Sequence, residues 1–246
     1  MKRFLSTLLL ILALGLPTAN PAASSSSSEP SIPVGLQSVS MPRLIWFASS
    51  GHIEELRKIL PGLSAEQINN TFFDDRNALM WAAQHGHTAC LQALIEKGAN
   101  VNAANNFGNT PLHSAALNGH LNCLQELINK GANVNAANNF GNTPLHSAAH
   151  DGHLNCLQAL IEKGADVNAA TINGTTPLHF AAKYGHLNCL QELITRGANV
   201  NAAPTTGPYQ GVTPLHSATQ HGHLNCLQEL ITRGANVNAA PTTGPY

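Results

Sequence analysis

Apolar residues recur along this chain in two short helical patterns that are separated by a glycine. Leu112 is followed at three and four positions by Ala115 and Ala116, which places the three side chains on one face of a helix. After Gly119, apolar residues again recur every three or four positions, at Leu121, Leu124, Leu127 and Ile128. The pattern therefore predicts a pair of amphipathic helices, and such a pair buries its apolar face only against a neighbour.

Residues with strong positional preferences mark the ends of both predicted helices. Thr110 is a suitable N-cap, and Pro111 fits the first helical position, where no backbone N–H is required. Gly119 ends the first helix, and Gly131 stands where a left-handed C-terminal cap belongs. A polar turn containing glycine follows at 138–142.

The same unit is repeated along the chain with a nearly fixed period. The tetrad Thr-Pro-Leu-His recurs at intervals of 33, 33 and 37 residues, beginning at Thr110, Thr143, Thr176 and Thr213. Residues 98–116 and 131–149 are identical, a degenerate copy of the tetrad begins at Asn77, and a weaker copy of the unit begins near residue 42. Six units of this period indicate a solenoid in which stacked neighbours share a continuous core.

The N-terminus has the pattern of a signal peptide. Lys2 and Arg3 precede an uncharged, leucine-rich run at 4–16, and small residues follow near 19–23. A membrane-spanning helix needs about 20 apolar residues, so this run is better suited to an export signal. An uncleaved membrane anchor formed by residues 4–16 is the competing interpretation.

These patterns divide the chain into a signal, a linker and an array of units. The predicted segments are a signal peptide at 1–23, a Ser/Pro-rich linker at 24–41, a degenerate N-terminal unit at 42–76, units at 77–109, 110–142 and 143–175, a unit with a four-residue insertion at 176–212, and a last unit at 213–246.

Composition excludes some classes of partner. Twelve Lys and Arg residues balance 13 Asp and Glu residues, and the formal charge is −1. This balance gives no electrostatic basis for binding nucleic acid or an anionic membrane surface. With 43% apolar and only 10% charged residues, the chain can build a core of small, closely fitted side chains.

The repeated unit resembles the ankyrin repeat. The resemblance lies in Gly-Asn-Thr-Pro-Leu-His-Ser-Ala-Ala-Leu-Asn-Gly-His at 108–120 and Gly-Ala-Asn-Val-Asn-Ala at 131–136, and it covers 77–246 strongly and 42–76 weakly. It implies an all-α fold, an ankyrin-repeat solenoid of stacked helix-turn-helix units with projecting β-hairpin or turn fingers. It also implies binding of other proteins, without catalysis and without a cofactor.

Three places depart from the family pattern. The unit at Asn77 lacks the Pro and His of the tetrad, so we expect its first helix to start less sharply. Four extra residues within 204–211 predict a longer finger tip. Residues 241–246 repeat 204–209, where the earlier copy leads into another unit, so we expect either a fragment or a shortened array.

Repeated Cys and His residues are candidates for chemistry, but their spacing favours structural roles. Five cysteines occupy one position in successive units: Cys90, Cys123, Cys156, Cys189 and Cys226. Equivalent helices in neighbouring units lie about 8–10 Å apart, whereas a disulfide needs Cα atoms within about 7 Å, and a four-ligand zinc site needs closer convergence still. We therefore predict buried thiols, structural histidines, no metal site and no catalytic residue.

Differences between the otherwise similar units mark the expected binding surface. Variation is concentrated in the two residues before each Gly-His and in the turn tips, which correspond to the concave face and finger tips of ankyrin proteins. The predicted protein-binding residues are Phe107, Asn109, Leu117, Asn118, Phe140, Asn142, His150, Asp151, Ile172, Asn173, Lys183, Tyr184, Tyr209, Gln210, Gln220 and His221.

The sequence thus predicts an exported, non-catalytic scaffold with a protein partner. Nucleic acid and small-molecule substrates are not expected, and a membrane is expected only if the N-terminal segment stays uncleaved. An export signal of prokaryotic type joined to a repeat common in eukaryotes favours a bacterial effector with a host partner, an inference by association only. Two competing hypotheses are a spacer without a specific partner and a metal-binding or enzymatic site built from His and Cys side chains.

Overall fold

The computed structural model describes residues 41–205 and 207–240. The predicted signal peptide at 1–23, the competing anchor at 4–16, the linker up to residue 40 and the repeated segment at 241–246 lie outside this part. In chain order, the helices are α1 (Arg43–Ser50), α2 (Ile53–Ile59), a 3-10 turn (Leu60–Gly62), α3 (Ala65–Asn69), α4 (Ala78–Gln84), α5 (Thr88–Glu96), α6 (Pro111–Leu117), α7 (Leu121–Asn129), α8 (Pro144–Asp151), α9 (Leu154–Glu162), α10 (Pro177–Tyr184), α11 (Leu187–Thr195), α12 (Pro214–Gln220) and α13 (Leu224–Thr232). Two strands, β1 (Phe72–Phe73) and β2 (Arg76–Asn77), pair as an antiparallel hairpin between α3 and α4.

The helices form two parallel rows, as a solenoid requires. The first helices of the units, α1, α4, α6, α8, α10 and α12, each pack against the next one, and so do the second helices, α2, α5, α7, α9, α11 and α13. Within each unit the two helices also pack together. The predicted all-α ankyrin-type architecture is therefore confirmed.

Each proline-led first helix starts with a reciprocal cap. The backbone N–H of Thr110 donates to Nδ1 of His113 over 3.1 Å, and the Thr110 hydroxyl faces the backbone N–H of His113. Because Nδ1 accepts, Nε2 carries the proton and donates to the backbone oxygen of Asn142 in the next finger, over 3.0 Å. The tetrad histidine thus closes one helix start and ties it to the following unit.

The unit at Asn77 departs from our expectation, since its first helix is capped despite the missing Pro and His. Oδ1 of Asn77 accepts a hydrogen bond of 2.9 Å from the backbone N–H of Met80. Asn is among the strongest N-cap residues, and its amide oxygen reaches the same backbone donor that Thr serves elsewhere. The helix α4 therefore has a capped N-terminus although its unit lacks the Pro and His of the tetrad.

The core follows the shared face of the two helix rows. Ala115, Ala116 and Leu112 on α6, with Leu124 and Leu127 on α7, are completely buried, and their equivalents in the neighbouring units are buried too. Alanine pairs let successive first helices approach closely, while the leucines fill the space between the rows. Burial of this kind contributes roughly 25 cal/mol per Å² of apolar surface.

The fingers are mostly tight turns. Within the described residues, strands occur only in the hairpin β1–β2, whose turn residues Asp74 and Asp75 both have positive φ. The predicted longer tip is present. The backbone N–H of Gly211 donates over 2.9 Å to the carbonyl oxygen of Pro204, which joins the two ends of this finger. Among residues 41–205 and 207–240, no helix combines the length and apolar character needed to cross a membrane.

Candidate functional site

The predicted binding residues form two sets, one in the fingers and one at the C-terminal ends of the first helices. The finger positions are Phe107, Asn109, Phe140, Asn142, Ile172, Asn173, Tyr209 and Gln210. The positions at the ends of the first helices are Leu117, Asn118, His150, Asp151, Lys183, Tyr184, Gln220 and His221. We call the surface made by these two sets the inner face.

The backbone links successive fingers and leaves their apolar side chains in solvent. The N–H of Asn139 donates to the carbonyl of Phe107, and the N–H of Ile172 donates to the carbonyl of Phe140, each over 3.0 Å. Phe107 is nevertheless 54% exposed, Phe140 51% and Ile172 70%. Because these side chains are not buried against the next finger, they are available for an external contact.

Aromatic rings cluster at the ends of α8 and α10. The rings of His150 and Tyr184 are 4.2 Å apart between centroids, and Nζ of Lys183 lies 5.3 Å from the Tyr184 ring. His150 also hydrogen-bonds Asp151, while Phe180 lies between His150 and the preceding tetrad histidine, His146. These contacts hold the rings in fixed positions, which lowers the entropy cost of burying them in an interface.

A groove of about 340 Å³ lies between the fingers and helices α10 and α12. Its lining residues are Phe140, Asn142, Thr171, Asn173, Thr175, His179, Phe180, Lys183, Tyr209, Val212, Ser217, Gln220 and His221. Seven of the predicted binding residues thus meet in one groove: Phe140, Asn142, Asn173, Lys183, Tyr209, Gln220 and His221. The other nine lie outside it, along the rest of the inner face.

The groove is built where this array departs from its own repeat. Phe180 replaces the serine found at the same position in three other units, and Tyr209 belongs to the inserted finger. Thr171 replaces the asparagine that stands at position 138 in the preceding finger. The groove therefore includes positions at which its units differ from their neighbours.

One side-chain oxygen of the groove-lining residue Asn142 lacks the hydrogen-bond donor that its equivalent has in the preceding finger. In the preceding finger, Nδ2 of Asn138 donates to Oδ1 of Asn109 over 2.8 Å. At the next interface the donor position is Thr171, whose hydroxyl instead pairs with the Thr175 hydroxyl at 2.6 Å. As a result, Oδ1 of Asn142 is buried and has no hydrogen-bond partner among the described residues, an arrangement that costs free energy unless a donor arrives.

The electrostatics of the groove are simple. Burial lowers the pKa of His179 to about 4, so this lining histidine is neutral near pH 7. Lys183 is the formally charged residue among the described lining residues, and no ion pair to it is formed within the described part of the chain. The groove is therefore weakly cationic at its helix end and aromatic at its finger end.

Family comparison agrees with this architecture. A profile described as "Ankyrin repeats (3 copies)" matches residues 44–138, 102–171, 133–204 and 170–240, which together exceed half of the chain. The chain belongs to the ankyrin repeat family. It is also similar to synphilin-1 of Mus musculus, with 37% identity over 54 residues, which is 22% of this chain and 5% of the mouse protein.

The ankyrin array carries three aromatic residues on its first helices that the sequence analysis missed. Trp46, Trp81 and Phe180 occupy the position that holds serine in the other units. Trp46 stacks on His52 at 4.8 Å, and Nε1 of Trp81 donates to the carbonyl of Phe73 over 3.1 Å. Aligning the units and asking which column alternates between serine and an aromatic residue would have found them.

The repeated Gly-His pairs join neighbouring ankyrin units. Nε2 of His153 lies 3.0 Å from the backbone oxygen of Leu117, and His120 makes the same contact with Gln84 at 2.9 Å. The variable residues of the inner face are therefore held through their backbones, while their side chains are free to differ. This accounts for the regular histidines without a catalytic or metal-binding role.

The ankyrin cysteines are buried free thiols. All five lack a disulfide, and burial raises the pKa of Cys156 and of Cys189 to about 11. A protonated, inaccessible thiol is a poor nucleophile and a poor metal ligand. Within the part of the chain that the structure describes, no group of three or more His, Cys, Asp or Glu side chains could hold a metal ion.

Proposed function

We propose that this ankyrin protein is an exported, non-catalytic scaffold that holds a partner protein along its inner face. Ankyrin repeats indicate a protein–protein interaction scaffold and hence protein partners. The observation that carries the proposed site is the groove of about 340 Å³, in which seven residues predicted from the sequence meet.

The composition of the inner face supports protein binding. Interface hot spots are enriched in aromatic residues that are already held in place. Phe140 and Tyr209 line the groove and are about half exposed, and Tyr184 is held beside it by His150. Such a surface offers apolar contact area without a large ordering cost.

A non-catalytic role fits the chemistry of the groove. Ankyrin domains are typically interaction modules without catalysis, and the His179 imidazole in the groove uses both ring nitrogens in structural hydrogen bonds. His179 therefore has no free nitrogen to act as a general base, while the second lining histidine, His221, uses Nδ1 toward the carbonyl of Ser217. The proposal assigns no catalytic residue, no cofactor and no small-molecule substrate to the protein.

Export is proposed from the N-terminal sequence alone. Lys2, Arg3 and the apolar run at 4–16 support a signal peptide, and delivery to a host cell is the extension of this proposal. Fusing residues 1–23 to alkaline phosphatase tests it, since the enzyme becomes active only after export from a bacterial cytosol. An inactive fusion that is stably made in the cytosol would remove export from the proposal.

Photocrosslinking tests the binding face directly. A photoreactive phenylalanine is placed at Tyr184 or Phe140, and for comparison at Asn155, which is exposed on the second-helix side. After irradiation in lysate from candidate host cells and from the producing organism, we expect covalent protein adducts from the two inner-face positions and far fewer from Asn155.

A double variant of the inner face tests whether the crosslinking residues are also needed for binding. Tyr184→Ala combined with Phe140→Ala removes two exposed rings and leaves the core unchanged, so the melting temperature should stay within a few degrees of the wild type. Binding of the crosslinked partner should fall by roughly tenfold or more. Equal adduct formation at Asn155, or undiminished binding by the folded double variant, would contradict the proposed face.

A further inference from the structure

We propose that the groove between α10, α12 and the fingers binds an extended segment of the partner in which an apolar side chain stands beside a carboxylate. This inference rests on the proposed scaffold function and specifies the chemistry of the partner. It is carried by three features of the groove: its uncompensated cation, its aromatic walls and its unsatisfied acceptor.

The cation selects for an acidic group. Lys183 lines the groove, and no carboxylate is present among the groove-lining residues that the structure describes. Nζ of Lys183 lies 5.3 Å from the centroid of the Tyr184 ring, a cation–π contact that favours this position of the ammonium group. A carboxylate arriving at this end gains a charge-assisted hydrogen bond, whereas an incoming Lys or Arg is repelled.

The aromatic walls select for an apolar neighbour of that acid. Phe140 and Tyr209 stand on the two fingers that flank the finger at 171–175, and Phe180 on α10 also lines the groove. Phe140 is 51% exposed and Tyr209 is 46% exposed, so an apolar side chain that packs against either ring removes apolar surface of both partners from water. Aromatic pairing adds to this gain when the incoming residue is Phe, Tyr or Trp.

The unsatisfied acceptor selects for an N–H donor. Oδ1 of Asn142 is buried at the groove and lacks a partner within residues 41–205 and 207–240, because Thr171 has replaced the donating asparagine. Because this oxygen is buried, the finger must shift before the backbone N–H of an extended peptide can reach it. Pairing a buried acceptor recovers the cost of leaving it unsatisfied, so the peptide backbone contributes to binding as well as its side chains.

The size of the groove favours a peptide segment over a folded surface. A volume of about 340 Å³ is near the lower limit of ligand pockets, which span about 300–1,000 Å³. It accommodates a few side chains, while the rest of the inner face remains available to the remainder of the partner. The groove is thus the specific element of a longer interface.

The test uses a phage-displayed library of random dodecapeptides, selected against the purified protein. We expect enriched sequences to place Asp or Glu within two residues of an aromatic or large aliphatic residue. In the synthesised peptide, replacing the acid by its amide should weaken binding about tenfold for the wild type, as loss of a charge-assisted bond predicts. The same replacement should change binding less than about twofold for Lys183→Met.

Two further variants sharpen the test. Lys163→Met removes a lysine from the second-helix side and should leave the acid-to-amide effect at its wild-type size. Thr171→Asn supplies an internal donor to Asn142 and should weaken peptide binding severalfold while leaving the protein folded, as judged by its melting temperature. Enrichment of basic sequences, no enrichment at all, or an equal acid effect in Lys183→Met would overturn the inference.

Failure of this inference is distinguishable from failure of the scaffold function. A partner that crosslinks at Tyr184 and Phe140, yet binds the Lys183→Met and Thr171→Asn variants as tightly as the wild type, leaves the scaffold intact and removes the acidic-segment assignment. A lack of adducts at those positions removes the scaffold itself, whatever peptide the library returns.

Discussion

Gly119 approaches the imidazole of His153 so closely that a Cβ on Gly119 would lie 2.5 Å from Nδ1 of His153. The same ring is 3.0 Å from the backbone oxygen of Leu117 through Nε2. The glycine thus serves both as the left-handed end of α6, with φ of 73°, and as the space into which the next unit inserts its histidine. This contact couples neighbouring ankyrin units through the backbone rather than through variable side chains.

Gly119→Ala should therefore destabilise the array more than its conformational strain alone explains. We compare it with Gly222→Ala, where φ is also 73° and no atom of the described residues lies within 4 Å of the added Cβ. The control should cost about 1–2 kcal/mol from the left-handed conformation. Gly119→Ala should cost a further ~1–3 kcal/mol from displacing His153.

Urea denaturation of the two glycine variants provides the measurement. Equal losses in the free energy of unfolding would show that the His153 contact carries no energy. A double variant, Gly119→Ala with His153→Ala, should recover part of the loss, since the added methyl group then has room.

Thr171→Asn should stabilise the protein, which is unusual for a substitution in a repeat array. The new amide can donate to Oδ1 of Asn142, as Asn138 does to Asn109 at the preceding interface. Satisfying a buried acceptor is worth about 0.5–1.5 kcal/mol. Thermal unfolding of this variant should show a higher midpoint, and the reciprocal Asn138→Thr should lower it by a similar amount.

The same two variants also distinguish the energy of the new hydrogen bond from the intrinsic preference of Asn or Thr for this turn. If Thr171→Asn and Asn138→Thr both destabilise the fold, the orphaned oxygen of Asn142 is already satisfied in solution, and its place in the proposed peptide site would have to be abandoned.

Sequence reasoning captured those features that repeat and missed those that occur once. Pro111 starts its helix as expected, and the tetrad histidine has the structural role expected of it, because both residues recur at fixed positions of the repeat. The role of Phe180 depends on what the fingers place opposite it, and the orphaned oxygen of Asn142 depends on a substitution 29 residues away. The hairpin β1–β2 is one of the β-hairpin or turn fingers that the family resemblance implied, whereas the extra helix α3 escaped prediction because the degenerate unit there has lost the repeat signature.

Stability should fall as the pH is lowered from about 6.5 to about 4. Burial lowers the pKa of His146 to about 4 and that of His179 to about 4, whereas an unfolded histidine titrates near 6.5. Between these values the unfolded chain binds protons that the folded chain does not, so acid favours unfolding. The stabilisation is complete above pH 6.5 and declines through this window, by roughly 3 kcal/mol per histidine at its lower end.

Urea midpoints measured at pH 7, 5.5 and 4.5 check the acid dependence. His146→Leu loses its bonds to Thr143 and to the Thr175 carbonyl, so it should be less stable at pH 7. Its stability should nevertheless depend less steeply on pH, because one titrating group has been removed. A pH slope equal to that of the wild type would show that His146 does not contribute to acid sensitivity.

Leu157→Ala tests the shared core on which the ankyrin stack depends. Leu157 on α9 is completely buried, and truncating such a leucine costs about 2–5 kcal/mol because it leaves a cavity beside lost apolar contacts. Leu224→Ala is the matched control, since Leu224 is 62% exposed on α13 and its truncation should cost less than about 0.5 kcal/mol.

Hydrogen exchange should also show faster opening of α7 and α11, the helices on either side of α9, in the Leu157 variant. A loss of only a few tenths of a kcal/mol for Leu157→Ala, or a loss confined to α9, would mean that the units do not share one core and that the groove between them lacks a rigid support.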